Sequence, residues 1–261
     1  GITREQECEH LRRLPGQQTL MLEQLQSNFL RLRLQGFTVR WERHSEFTRY
    51  SVVQNLPETA QLGATDPELL SYVTLPQDWL AEIPGRTFAA VKLAMVCGDL
   101  NQPEELLLQA RKWLGGNPVV ASLIGRERHS LAVTDFMLRP SGFERMLVIM
   151  PAGSSETRAG RVSQRLLEIE TYRLMALRGL PVAKRLFPEL TSAEQQLADI
   201  TARLENKAAS DQELLDTLIA LAARIERATV QHAYRFAATQ AYNKLVTQRI
   251  AELREQAIPG T

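Results

Sequence analysis

The feature that most limits the fold of this chain is a stretch near its C-terminus, from Ser210 to Ile258, that contains neither proline nor glycine. Ser210 and Glu213 form a capping box there, in which the hydroxyl accepts an unpaired amide and the glutamate reaches back. A helix that begins at Ser210 and continues to Pro259 would be roughly 70 Å long at about 1.5 Å per residue. Few single domains are that wide, so we expect this helix to protrude or to pair along its length.

The apolar residues of this predicted helix alternate at spacings of three and four, as in a coiled coil. The same register then reaches polar residues. The predicted seam consists of Leu218, Leu221, Ile225, His232, Arg235 and Tyr242.

Two interpretations of the polar part of this seam are open. A straight helix drifts against a heptad repeat, so the seam could move onto Ala233, Phe236 and Ala237 and leave the polar residues in water. Alternatively, the polar residues form a layer that fixes register or partner choice.

Two shorter helices are predicted before the long one. The first covers Ser155 to Leu177 and is ended by Gly179-Leu180-Pro181. The second is interrupted at Pro188, and a capping box of Thr191 and Glu194 restarts it. We therefore predict an all-α, three-helix, antiparallel or coiled-coil domain at residues 151–261, ending in the long helix.

Alternating apolar and polar residues dominate the chain before residue 150 and predict strands. Short helices are predicted between them, and scattered turn formers predict a loop at 54–75. We therefore predict an α+β domain at residues 1–150 with a mixed or antiparallel sheet. Its expected strands are 29–34, 36–41, 46–53, 88–96, 119–124, 130–138 and 143–150, and its expected helices are Arg4–Leu14, Pro76–Ile83 and Pro103–Leu114. The apolar run 88–96 is expected to be buried on both faces.

Composition excludes some classes of function. The formal net charge of +1 gives no concentrated basic surface, so we expect no nucleic-acid binding. Cys8 and Cys97 are far apart in sequence, which favours a reduced cytoplasmic setting. No apolar run approaches the roughly 18 residues of a spanning helix. Because the sequence begins at Gly1 without methionine, it looks like part of a longer protein.

The densest group of reactive side chains is Trp41 to Tyr50, "WERHSEFTRY". On one continuous strand Glu42, His44 and Glu46 would share a face, and carboxylates with imidazole can bind a divalent metal. The same residues could instead form an ion-paired strand face, with no cofactor. No nucleophile elbow, phosphate loop, dinucleotide fingerprint or C-x-x-C motif accompanies them. Asp135 interrupts an apolar strand pattern, so its carboxylate should face water or have a partner.

A second polar group is expected where the two predicted domains meet. Side chains of the first predicted helix in the C-terminal half fall at spacings of three and four, which places them as neighbours on one stripe. We interpret "WERHSEFTRY" as mainly structural, joining the sheet domain to the helices. The predicted inter-domain cluster consists of Arg43, Glu168, Glu170, Tyr172 and Arg173.

Four segments together resemble a bacterial family known as domain of unknown function 3422. They are "RWERHSEF", "RLLEIETYRLMAL", "LP" at 180–181 and "AYRFAATQAYNKLVTQRIAELRE". The resemblance implies a predicted membrane-anchored bacterial protein, with its hydrophobic segments outside this sequence, on the cytoplasmic side of the inner membrane. It implies no catalytic activity.

These observations favour a non-enzymatic scaffold, or a module that self-associates or binds partners, and we expect a homo-oligomer. One alternative is the ion-sensing head of a divalent cation transporter, since the layout is similar to that of CorA-type magnesium channels. Another is a metal-dependent hydrolase that uses Glu42, His44 and Glu46.

Overall fold

The computed structural model describes residues 1–56, 75, 77–206, 210–258 and 261. Most of the predicted loop 54–75 and the predicted helix end at Pro259 lie outside these residues. The chain forms two compact units. The sheet unit comprises residues 1–155 and 256–261, and the helical unit comprises residues 156–255. The α+β fold class is confirmed.

The first part of the sheet unit is a three-stranded antiparallel sheet that lies against a short helix. Thr3 caps helix α1, since its hydroxyl accepts from the Gln6 amide and the Gln6 side chain accepts from the Thr3 amide. The elements are α1 (Arg4–Arg12), β1 (Phe29–Leu34), β2 (Phe37–Arg43), β3 (Thr48–Gln54) and α2 (Gln77–Ala81), with strand order β1-β2-β3.

Alternation along β2 explains the first core. Phe37, Val39 and Trp41 point to one face and are buried there. They belong to the same hydrophobic cluster as Leu11 of α1 and Trp79 of α2. The cluster therefore fixes α1 and α2 on one face of this sheet.

The second part of the sheet unit is a five-stranded mixed sheet. Its strands follow the order β4-β7-β6-β5-β8, and only the β4–β7 pair is parallel within this order. Helix α3 begins with proline at its first position, where no amide donor is needed. The elements are β4 (Val91–Cys97), α3 (Pro103–Trp113), β5 (Val120–Ile124), β6 (Ser130–Thr134), β7 (Glu144–Met150) and β8 (Gln256–Ala257).

The expectation that residues 88–96 are buried on both faces was wrong. Strand β4 is mostly half-buried, and among the described strands it pairs only with β7. Strand β7 has neighbours on both sides and ends in five consecutive buried residues, from Met146 to Met150. The apolar run therefore predicted a strand correctly. Its position at the edge of the sheet depends on the strand order, which the run does not indicate.

The helical unit is a long antiparallel hairpin. It contains α4 (Glu156–Leu177), α5 (Leu180–Glu205) and α6 (Asp211–Leu253). Helix α6 packs on both other helices. Residue numbers on α6 decrease where those on α4 and α5 increase. Arg249 of α6 donates to Glu168 of α4, and Glu213 of α6 pairs with Arg203 of α5. The long helix thus pairs with its own chain along its length.

Two predicted helix ends differ from the structure. Pro188 lies inside α5 instead of breaking it, since proline removes only one helical hydrogen bond and packing on α6 holds the rest. Helix α6 ends at Leu253 because Arg254 adopts a left-handed conformation with φ of 51°. The chain then enters β8, where Ala257 pairs with Ser122.

Among the helices in the described ranges, none combines the length and the apolar character that a bilayer span requires.

The junction between α4 and α5 is tightly packed against α6. The Thr239 hydroxyl donates to the Ala176 carbonyl at 3.3 Å, so α6 satisfies an acceptor in the last turn of α4. A Cβ atom at Gly179 would overlap the same Thr239 hydroxyl. Glycine at 179 is therefore needed for the close approach of the helices, although its φ of −71° suits any residue.

We expect Gly179→Ala to lower the free energy of unfolding of the helical unit by about 1–3 kcal/mol, the usual cost of overpacking. Urea denaturation followed by the circular dichroism signal of helices measures this loss. The matched control is Gly160→Ala in α4, because a Cβ there meets nothing within 4 Å. That control should gain about 0.5–1 kcal/mol from helix propensity. Equal effects of the two substitutions would contradict the packing argument.

Candidate functional site

The segment "WERHSEFTRY" is a β-hairpin and not a continuous strand. Strand β2 ends at Arg43, β3 begins at Thr48, and the His44 amide donates to the Phe47 carbonyl at 2.8 Å across the turn. The prediction of one alternating face was therefore wrong, because His44 and Glu46 lie in the turn.

The predicted metal ligands have other contacts. Glu42 accepts from Arg49 Nε at 2.8 Å and from Arg40 Nη2 at 3.3 Å. The His44 ring stacks on Phe47 with centroids 4.4 Å apart. The described residues contain no group of three or more His, Cys, Asp or Glu side chains placed to hold a metal ion. Metal binding by Glu42, His44 and Glu46 stays a prediction.

Helix α1 instead brings a buried carboxylate to this hairpin. Glu7 is 1% exposed and accepts from Arg43 Nη1 and from the Thr48 hydroxyl, both at 2.6 Å. Arg43 also donates to the Ile2 carbonyl at 2.8 Å. A charge-assisted bond to each carboxylate oxygen offsets the cost of burying Glu7. The bonds from Arg43 and Thr48 tie α1 to both strands of the hairpin.

His10 lies one turn further along α1 and is 4% exposed. Its ring stacks on Trp79 at 4.3 Å and meets the edge of Tyr50 at 6.0 Å. Burial lowers the pKa of His10 to about 4; Arg13 acts in the same direction, and Glu82 opposes it. The imidazole is therefore neutral at physiological pH.

Tyr50 completes this polar group. Burial raises the pKa of Tyr50 well above its usual range, and the Glu7 carboxylate adds to the shift. Trp41 lies directly opposite Tyr50 in the β2–β3 register. A hydrogen bond between the side chains of Trp41 and Tyr50 opposes this rise in the pKa of Tyr50. His10 Nε2 is buried and has no hydrogen-bond partner among the described residues.

An open groove of about 660 Å³ borders α1 and includes His10 in its wall. The groove mixes both signs of charge, and its Arg13 and Glu82 form an ion pair. Its lining residues are Glu5, Gln6, Cys8, Glu9, His10, Arg12, Arg13, Leu22, Glu82 and Pro84. This mixed lining does not define one class of ligand.

The carboxylate of Asp135 is a fixed structural element of the second sheet. It accepts from Arg139 Nη2 at 2.5 Å, Asn117 Nδ2 at 2.9 Å and the Met137 amide at 3.1 Å. The expected partner therefore exists, and Arg139 supplies it from four residues further along the chain.

The residues of the predicted inter-domain cluster take part in local contacts. Arg43 bonds Glu7 inside the sheet unit, as described above. In the helical unit, Glu168 accepts from Gln164 at 2.8 Å and from Arg249 at 2.5 Å. Its bond to Arg249 raises the pKa of that guanidinium. That the cluster joins the two units stays a prediction.

The other members of that cluster also lie on α4. Glu170 is 1% exposed and accepts from Arg173 Nη2 at 2.6 Å and from Arg173 Nε at 3.0 Å. Tyr172 stacks on Tyr242 of α6 with centroids 6.0 Å apart. These contacts support α4 and its packing on α6.

The polar part of the α6 seam is turned away from solvent. His232, Arg235 and Tyr242 are half-buried, whereas Ala233, Phe236 and Ala237 are exposed. The drift of the seam onto the latter three was therefore wrong. The heptad register continues through the polar residues toward Leu253, which is buried.

The apolar part of the seam behaves differently along its length. Leu221 is buried with Ala193 and Ile200 of α5, Leu218 packs against the same cluster, and Ile225 is 42% exposed. Further apolar side chains of the helical unit are exposed to a similar or greater degree: Leu177, Leu180, Phe187, Leu190, Leu197, Leu204, Leu215, Ile219, Val230, Tyr234, Phe236 and Ile250.

Sequence reasoning missed two residues of the buried polar group, Glu7 and His10. A signal was present, because Glu7 lies three residues before His10 and four before Leu11, which places all three on one face of α1.

The fold and contacts define an α+β protein whose sheet unit is followed by a long helical hairpin. A model of the family described as "Protein of unknown function (DUF3422)" matches residues 1–261. The chain belongs to this family. No curated protein and no solved structure matches the chain.

We expect Arg43→Met to lower the free energy of unfolding of the sheet unit by about 3–5 kcal/mol, because the Glu7 carboxylate would stay buried without its cation. The three tryptophans all lie in this unit, so tryptophan fluorescence in urea reports its unfolding. The control Arg33→Met removes an exposed arginine from β1 and should cost less than about 0.5 kcal/mol. A loss for Arg43→Met no larger than the control's would refute this role of the ion pair.

A second prediction concerns the stability of the sheet unit at acid pH. The folded sheet unit keeps His10 neutral down to about pH 4, whereas the unfolded chain binds a proton near pH 6.5. The unfolded state then holds more protons, so this contribution to stability is lost as pH falls from about 6.5 to about 4.

His10→Gln should remove that part of the pH dependence, measured as unfolding free energy at pH 7.5, 6, 5 and 4 by tryptophan fluorescence. His44→Gln, at an exposed position of the same unit, should keep it. A wild-type slope in His10→Gln would show that His10 is not the group responsible.

Proposed function

We propose that this chain is a non-enzymatic assembly module that self-associates through its helical unit. The observation that carries the proposal is the set of exposed apolar side chains on α5 and α6. A helical hairpin covers only one stripe of each helix, and only Leu214, Leu221 and Leu253 of the 43 residues of α6 are buried. Soluble monomers rarely expose large contiguous apolar patches.

The energy available from such association supports a weak interaction. Full burial of a large apolar side chain contributes about 1.5–3 kcal/mol, so a half-exposed one still offers about 1 kcal/mol. Five such residues on each of two copies would contribute roughly 10 kcal/mol, and at the low end of the association cost, about 4 kcal/mol, roughly 6 kcal/mol remains. We therefore expect self-association through one helix face with a dissociation constant of about tens of micromolar or weaker.

We also propose that the protein is attached to the cytoplasmic side of the bacterial inner membrane through segments outside this sequence. The support for this part is the resemblance of the four segments quoted above to a family whose members are described as membrane-anchored. Fractionation of bacteria that express the whole gene product, with detection in the membrane pellet, tests it.

The alternatives gain no specific support. The contacts of Glu42 and His44 favour neither an ion-sensing head nor a metal-dependent hydrolase, and both stay predictions.

Size-exclusion chromatography with light scattering tests self-association. We expect the 261-residue chain to have a mass above 29.5 kDa at 100 µM and to approach 29.5 kDa on dilution. This concentration range follows from the energies above, since roughly 6 kcal/mol corresponds to a dissociation constant of about tens of micromolar. A constant mass of one chain up to millimolar concentration would overturn the proposal.

A further inference from the structure

We infer that two copies of the chain pair through the outer face of α5, antiparallel, about a two-fold axis near Ser192. The inference rests on the proposed self-association and names its surface. An isologous contact of this kind requires a helix face that is complementary to itself.

The outer face of α5 carries one row of apolar residues. Their side chains are between 48 and 71% exposed, and they recur at spacings of seven and three, as in a coiled-coil seam. Pro188 follows Phe187 directly and so lies off the row. We call this row the α5 stripe: Leu180, Phe187, Leu190, Leu197 and Leu204.

The α5 stripe differs from the side of α5 that packs on α6. Ala193 and Ile200 are buried against Leu214 and Leu221 of α6. Leu197 is 50% exposed although it lies between them in sequence. The hairpin therefore uses one stripe of α5 and leaves the neighbouring one without cover by the described residues.

The α5 stripe is complementary to itself when a second copy runs in the opposite direction. A two-fold axis at residue 192 places Leu180 opposite Leu204 of the second copy. It also places Phe187 opposite Leu197 of the second copy. Each contact occurs twice by symmetry, so four of the five stripe residues meet an apolar partner.

The fifth residue, Leu190, would meet Glu194 next to the axis. An antiparallel register shifted by one heptad would also pair Phe187 with Leu190 and Leu180 with Leu197. That register places Leu204 beyond the start of α5 in the second copy and moves Asp199 away from Arg185, so the axis near Ser192 fits the whole stripe better.

Charges along α5 agree with this direction. Lys184 and Arg185 lie near its N-terminal end, and Asp199 and Glu205 lie near its C-terminal end. Arg203 is the cation at that end and already pairs with Asp199 and Glu213. Antiparallel copies bring the basic end of one helix to the acidic end of the other, whereas parallel copies would place like charges together.

The same charges disfavour a lipid surface as the binding partner of the α5 stripe. Helices that lie on anionic membranes are rich in lysine and arginine on the polar face that flanks the apolar one. The α5 stripe is interrupted by Glu194 and ends beside Glu205. A second copy of this chain fits the pattern better.

The first test places a carboxylate in the stripe. We expect Phe187→Glu/Leu197→Glu to weaken self-association by at least about 100-fold, since each copy would bury two unpaired charges. The matched control is Val230→Glu/Tyr234→Glu, at two positions of α6 that are each 68% exposed. The control should self-associate like the wild type, and helix content by circular dichroism should be unchanged in both variants.

The second test does not depend on disrupting the interface. In a Cys97→Ser background, which removes the exposed native thiol, we expect Phe187→Cys/Leu197→Cys to form covalent dimers with a short bismaleimide. Either cysteine alone should not, because positions 187 of two antiparallel copies lie about 15 Å apart along the axis.

The outcomes separate the two proposals. A wild-type chain that stays monomeric overturns both. A wild-type oligomer that dissociates with the α6 variant and not with the α5 variant overturns only the α5 stripe. Crosslinking of Phe187→Cys alone overturns the antiparallel arrangement about Ser192.

Discussion

The antiparallel packing of α6 on α4 and α5 is the interaction on which the helical unit depends. Isolated helices are marginally stable in water, so a helix of this length needs a packed face. Its inner face changes character along the axis: leucines contact α5, whereas Thr239, Tyr242 and Arg249 contact α4. Directional contacts fix the register near α4, and Gly179 permits the close approach that the Thr239 bond requires. The apolar half near α5 is less specific.

The sheet unit is stabilised differently, by polar atoms inside an aromatic core. Glu7 is satisfied by Arg43 and Thr48, whereas His10 keeps Nε2 without a partner among the described residues. A buried ion pair contributes little net stability, but removing one partner is costly. The pair therefore acts mainly to specify how α1 sits on the hairpin, and the aromatic rings supply the apolar burial.

The sequence predicted helices and strands better than the contacts between them. Period-two patterns located the strands, and capping at Ser210 located the start of α6, because both signals are local. Strands 36–41 and 46–53 were predicted separately, but the turn at 44–47 was not, since "RHSEFT" contains no glycine or proline to mark it. The partner of Arg43 was missed because Glu7 is distant in sequence, and no local pattern reports which helix face meets which strand. The end of α6 was missed because a left-handed arginine carries no sequence signal.

The polar seam of α6 affects how the outer face of α5 is presented for self-association. If both faces of the hairpin were equally apolar, α5 and α6 could pack on each other or on other copies in several registers with similar energies. Half-buried His232 and Arg235, together with the Tyr172–Tyr242 stack, make one intramolecular alignment better than its neighbours. The hairpin can therefore form within a single chain before any association, and its remaining apolar face is displayed on a fixed scaffold. A preformed surface loses less conformational entropy on binding than one that must fold first.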